Sequence, residues 1–359
     1  MQKIHFPHRL KSARQMRGLS LRNLTDLLKN KISRQSISQY ENGAMFPSRE
    51  NLLLLCDALN VSLDYFNRPE IELEEIEYRK LKNLSVKERQ MIEAEAADFL
   101  SRFLEVEELL GIEGDFKKPW KTHQVNSNDD VEKAAIKLRK TWKLGENPIP
   151  NVVELLEDKR IKVFEIDAND AFSGMAAKAG DDKYLIVLNK NEAVETPRKR
   201  FTALHELAHI ILDFPKKLKD SKEGEKQMEK YCHYFAGAML FPKSNLEKEL
   251  GVTRQRIHLI ELLTIKEEYG ISMQAFLYRL RNLNFISEHH YRLQMKMIIQ
   301  REWKKKEPNP FLGKEHSNRL LQLLYRGIAE EIISISKAAS LYGMKLSDFR
   351  KITKEHFLN

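Results

Sequence analysis

The chain has 359 residues, 42% apolar and 31% charged, which supplies sizeable cores, suits two or three domains and excludes wholesale disorder. A formal net charge of +9 points to a polyanionic partner, and two cysteines, Cys56 and Cys232, exclude a disulfide framework or a four-cysteine zinc site. No uncharged apolar run approaches the roughly 18 residues a membrane helix needs, and the first residues lack a signal-peptide core, so the sequence reads as a cytoplasmic protein with no membrane contact.

The charge falls in blocks. Residues 1–68 carry 11 Lys/Arg against 5 Asp/Glu, residues 69–112 carry 6 against 12, and residues 290–359 carry 14 against 7. Such blocks suggest separate modules. Pro69 with the acidic stretch 70–77 marks one boundary, and the polar stretch 121–130 marks another.

Residues 7–66 predict five short helices. Ser20 is placed to cap the second and Ser33 the third, Arg34–Glu41, which Gly43 ends in a left-handed conformation. Ile37 and Tyr40, three apart, face the core, so Arg34, Gln35, Ser38 and Gln39 point outward, with Ser36 beside them at the start of the helix. Arg and Gln make bidentate bonds to base edges in a major groove, while Ser holds phosphates. Leu52, Leu55, Cys56 and Leu59 close the bundle, which makes Cys56 a packing residue.

This segment resembles the phage-repressor-like (XRE family) helix-turn-helix domains. The matching residues are Arg9-Leu10, Gly18-Leu19-Ser20, Leu24, Ile32-Ser33-Arg34, Ile37-Ser38, Tyr40-Glu41-Asn42-Gly43, Pro47 and Leu59-Asn60-Val61-Ser62. The resemblance implies double-stranded DNA as partner. Two departures stand out: the turn at 28–31 is about two residues longer than usual, and Leu21 replaces a frequent glutamine. The alternative is a bundle used only for protein contacts.

Residues 84–110 place Ile92, Ala96, Phe99, Leu100, Phe103 and Val106 near helical spacing. They predict either a connector helix packed on its neighbours or a helix that forms a homodimer.

Three strands follow at 160–166, 172–177 and 184–189. Then comes the most informative segment, residues 196–213. Thr196 caps a helix with Pro197 at its first position, and Pro215 stops it. Inside lies His205-Glu206-Leu207-Ala208-His209. Histidines at i and i+4 share one face, so both imidazoles reach one zinc ion, while Glu206 is rotated toward water rather than metal. Phe201, Leu204, Ala208 and Ile211 form the buried stripe. A third ligand is Glu229, on a second helix whose face also carries His233, Ala236 and Leu240 before Phe241-Pro242 ends it. Two histidines plus a carboxylate is the donor set of a thermolysin-like catalytic zinc.

Residues 128–285 resemble the ImmA/IrrE metallopeptidases, whose fold is a minimal zincin. Residues 200–209, the run Glu229-x-x-Cys232-His233-x-Phe235-Ala236, and Leu240-Phe241-Pro242 carry the resemblance. It implies His205, His209 and Glu229 as metal ligands and Glu206 as general base. Ala208 replaces a usual glycine, and Cys232-His233 replace a usual Ala-Asn pair. His233 and Asp213 are candidates to orient ligands from outside the metal's own shell, the alternatives being His233 as a direct ligand and Asp213 as a solvent-exposed helix end. Cys232 is expected to pack, with a redox role as the alternative. A sheet edge near the metal offers a place for a substrate peptide to add as a strand.

Residues 257–287 predict a helix, a Gly270 turn, a Ser272 cap and a second helix. Residues 332–351 predict a further helical pair, and residues 301–306 add a basic cluster. These are read as a helical cap or a second nucleic-acid contact.

The expected architecture is multidomain and mostly α with a small α+β part. It comprises a helix-turn-helix domain (1–68), an acidic helical linker (69–127), a zincin-like peptidase domain (128–250) and a helical C-terminal region (251–359). The expected protein is a DNA-binding regulator bearing a zinc endopeptidase. Its substrate would be a helix-turn-helix repressor, as the resemblance implies, or its own linker, cleaved in a stress or phage response. The rival is a regulator or antitoxin whose zinc is structural or sensed.

Overall fold

A computed structural model describes residues 5–75, 84–121, 123–191, 195–251, 256–304 and 306–357. Residues 76–83 of the predicted linker lie outside the described residues. The chain divides into two compact units: one comprises 1–74, 81–114 and 318–359, the other 75–80 and 115–317.

The first unit begins with helices Phe6–Met16, Leu21–Leu27, Arg34–Glu41 and Arg49–Leu59. The fifth expected helix is a single 3-10 turn, Leu63–Asn67. Ser20, Ser33 and Ser48 cap the second, third and fourth helices, accepting the backbone N–H of Asn23, Ser36 and Asn51. The long turn before the third helix is built from consecutive left-handed residues, Lys29 (φ 52°) and Asn30 (φ 58°). Phe6, Leu10, Leu24, Ile37, Leu55 and Phe66 form the core.

Helix Val86–Leu109 starts on a capping box, Ser85 with Glu88. The residues picked out by periodicity, Ile92, Ala96, Phe99, Leu100, Phe103 and Val106, are all buried. Their apolar face is therefore covered within the chain. Asp98 on this helix accepts from Arg9 Nη2 at 3.0 Å and from Arg102 Nε at 2.8 Å. The last helices, Arg319–Ala329, Ile335–Tyr342 and Leu346–Phe357, belong to this same unit. Lys337 Nζ lies 2.6 Å from Asp64 Oδ2 and 2.5 Å from Glu105 Oε1, and Arg68 Nη2 donates to Ser340 Oγ.

In the second unit the strands run Gly174–Ala179, Lys183–Asn189, Lys162–Ile166 in spatial order. The outer two lie antiparallel and parallel to the middle one, respectively, with Met175 opposite Val187 and Val163 opposite Ile186. The middle strand, apolar from Tyr184 to Leu188, is buried on both faces. Helix Thr196–Ile211 packs close to this sheet. A Cβ on Gly174 would lie 2.8 Å from the Thr202 side chain and 2.9 Å from the Val187 carbonyl, so the strand tolerates no side chain there. Thr196 proves to be the first helical residue, with Glu195 in the cap position.

Helix Lys222–Leu240 packs against both Thr196–Ile211 and Asn128–Thr141. Two buried arginines lock the surroundings. Arg279 pairs bidentately with Glu132 at 2.6 and 2.7 Å and donates to the Phe241 carbonyl. Arg200, fully buried in helix Thr196–Ile211, donates to Glu315 Oε2 at 2.6 Å and to the Ile149 and Gly270 carbonyls. Gly270 holds φ 59°, and a Cβ there would sit 2.6 Å from Arg200 Nε. Helices Leu259–Tyr269 and Met273–Asn282 flank this glycine, with Ser272 capping the second.

Candidate metal centre and recognition helix

Helical spacing places His205 and His209 one turn apart, and helix Lys222–Leu240 brings Glu229 against them. The two Nε2 atoms are 3.1 Å apart. Glu229 Oε2 lies 3.3 Å from His205 Nε2, and Glu229 Oε1 lies 3.2 Å from His209 Nε2. Among the described residues these three form a group able to hold a metal ion, with ligand atoms within 4.8 Å of one another. Ligands 2.0–2.1 Å from a tetrahedral zinc stand about 3.3–3.4 Å from each other. The observed separations suit that ion, and imidazole with carboxylate suits its chemistry. The histidine side chains are only 4% and 5% exposed and the Glu229 side chain is 28% exposed, so the cluster opens on the Glu229 side. Glu206, one residue beyond the first histidine, is 1% exposed and stands outside the group of three.

The surrounding residues divide. His233 Nδ1 donates to the Glu229 carbonyl at 2.7 Å, and its ring lies edge-on to His205 with centroids 4.4 Å apart. It therefore touches residues that carry two of the three groups. Asp213 lies past the end of its helix, and its carboxylate accepts the His123 backbone N–H at 2.9 Å rather than bonding a cluster imidazole. Its backbone forms an isolated parallel bridge with Gln124. Together with Trp120, whose indole N–H donates to the Ile211 carbonyl, this segment pins the end of the metal-bearing helix. Cys232 is fully buried, and its sulfur lies 3.5 Å from His209 Nδ1.

Sequence reasoning missed the Cys232–His209 contact and the Arg200–Glu315 lock. Both join residues distant along the chain. The available signal was helical spacing alone: Arg200 stands four residues before Leu204 and eight before Ala208, on the buried stripe of its helix, whereas its neighbour Arg198 is exposed.

On the third helix of the first unit, Arg34 and Gln35 are exposed, and Ser36, Ser38 and Gln39 are half-buried around the same front, opposite Ile37 and Tyr40. Ser36 Oγ lies 2.8 Å from Ser33 Oγ, so part of its bonding capacity serves the helix start. Cys56 packs in the bundle, where burial pushes its thiol up to about 11.

A helix-turn-helix unit and a helix pair presenting two histidines and a glutamate over a small sheet define a class: DNA-binding regulators with a metallopeptidase-like domain. Residues 10–66 match the family model for the helix-turn-helix, and residues 156–281 match that for the IrrE N-terminal-like domain. No curated protein matches the chain. Among the described residues, no helix is long and apolar enough to cross a membrane.

Proposed function

We propose that this regulator is a zinc-dependent endopeptidase whose substrate is a repressor-type helix-turn-helix protein, cleaved in a stress or phage response. The observation that supports it is the convergence of His205, His209 and Glu229 beside a further buried carboxylate, Glu206, that is not part of the cluster. A structural or purely sensory site has no use for that extra carboxylate. In this reading His205, His209 and Glu229 hold zinc, which supplies Lewis-acid chemistry. Glu206 takes a proton from the attacking water and delivers it to the leaving amine. The helix pair holds these groups in register before substrate arrives, and Arg34, Gln35, Ser38 and Gln39 place the protein on double-stranded DNA.

The test is Glu206→Gln, which keeps size and polarity and removes basicity. Zinc content and duplex binding should survive, while cleavage of a candidate repressor, mapped by mass spectrometry, should fall roughly 10²- to 10⁴-fold. A reporter response left intact by the substitution would overturn the enzymatic reading and leave the sensor or antitoxin in its place.

A further inference from the structure

Cys232 lies three residues after Glu229 on helix Lys222–Leu240. That spacing puts both on the side of the helix that meets Thr196–Ile211. Glu229 reaches the cluster. Cys232 reaches past it to the far side of His209, with no exposed surface of its own.

The geometry is specific about which nitrogen is involved. His209 Nε2 faces His205 and Glu229, at 3.1 and 3.2 Å. Its Nδ1 faces the sulfur at 3.5 Å. An imidazole that binds a metal through Nε2 carries its proton on Nδ1, and an N–H buried in this helix interface needs an acceptor. Metal-bound histidines meet that need with a carboxylate, carbonyl or water, and the partner fixes both tautomer and ring orientation. Here a thiol sulfur is in that place.

We infer that Cys232 is a positioning residue: its sulfur accepts the His209 Nδ1–H and holds the imidazole with Nε2 aimed at the metal. This rests on the reading of the cluster as a metal site. A thiol is a weaker acceptor than a carboxylate and brings no charge into the interior. It thus orients His209 without adding a second negative group beside Glu229.

Metal affinity reads this out without any cleavage assay. Zinc dissociation constants, measured by chelator competition, should rise about 10- to 100-fold for Cys232→Ala. In Cys232→Ser, which restores an acceptor, they should stay within about threefold of wild type. Cobalt substituted for zinc should keep its ligand-field spectrum in the serine variant and lose or shift it in the alanine variant. Cys56→Ala, in the other compact unit, should change neither. Equal zinc affinity and equal cobalt spectra in wild type and Cys232→Ala would overturn the assignment while leaving the metal site standing. A wild-type protein that binds neither ion would overturn both. A second measurement needs no variant. In ¹⁵N-histidine spectra of the zinc-loaded protein, His209 should carry a slowly exchanging Nδ1 proton, and a metal bound through Nδ1 would refute the contact's role.

Discussion

Replacing Asp98 with alanine tests whether the DNA-binding bundle and helix Val86–Leu109 form one cooperative core. Asp98 is buried between Arg9, at 3.0 Å, and Arg102, at 2.8 Å. Arg9 also lies over the Tyr65 ring, 3.9 Å from its centroid, and donates to the Tyr65 carbonyl. Removing the carboxylate leaves two largely buried guanidiniums without their shared anion. Breaking a buried pair from one side costs about 3–5 kcal/mol. For a unit of about 150 residues, each kcal/mol lowers the midpoint by about 2–4 °C. Calorimetry should therefore show the first unit's transition lower by roughly 6–20 °C and the second unit's transition in place. The pH dependence carries a sign. Burial alone would raise the Asp98 carboxyl, but the adjacent Arg102 and Arg9 guanidiniums outweigh it and hold the group below the usual carboxylate range. A depressed acid contributes stability above its unfolded pKa of about 3.9 and loses it as pH falls through the folded value. The gap between wild type and Asp98→Asn should thus be constant at neutral pH and narrow below about pH 4. A shift under about 1 °C, or equal movement of both transitions, would refute the reasoning.

Two further outcomes are expected. His205→Ala, His209→Ala and Glu229→Ala should each lose about one equivalent of tightly bound zinc by metal analysis, whereas Glu225→Ala, one turn earlier than Glu229 and outside the cluster, should retain it; the reverse pattern would displace Glu229 as ligand. The double substitution Arg34→Ala with Gln39→Ala should weaken duplex binding by about 1–3 kcal/mol per lost base contact and flatten sequence preference, and unchanged footprints would remove this helix from the groove.

Features set by neighbouring residues were legible in the sequence. Ser20 and Ser33 cap the helices expected of them because a cap bonds within three residues. His205 and His209 meet because the helix repeat brings i and i+4 together, and short runs rich in apolar residues located three strands to within two residues. Features made by distant partners were not legible. Cys232 is an ordinary apolar-face residue until helix Thr196–Ile211 is laid beside it. Glu307 and Glu315, which no sequence pattern singled out within the charge-rich block 290–359, are both buried, Glu307 accepting the Met273 N–H and Glu315 pairing with Arg200. The sequence reading placed breaks after residues 68, 127 and 250, the first two at shifts of charge and composition. Compactness instead groups 318–359 with the first unit and 256–317 with the second. Charge blocks report local solvation, whereas unit membership depends on which apolar faces meet after the chain has turned back.

That return of the chain bears on the choice of substrate. If the linker were the substrate, a cut within residues 69–85 would sever the backbone after the DNA-binding bundle. The bundle would still be tied to helix Val86–Leu109 by Arg9–Asp98 and by Arg68–Glu105, the latter at 2.9 Å. It would also still be tied to the C-terminal helices through Lys337–Asp64 and the Ser62–Ser340 contact. A cut within residues 110–127 would fare no better. Residues 318–359 remain covalently continuous with the peptidase-like unit and packed in the same compact unit as the bundle. One hydrolytic event in the linker therefore cannot free the DNA-binding module unless that module's own packing also fails. Cleaving a separate repressor requires no such second step, and this asymmetry favours an external substrate.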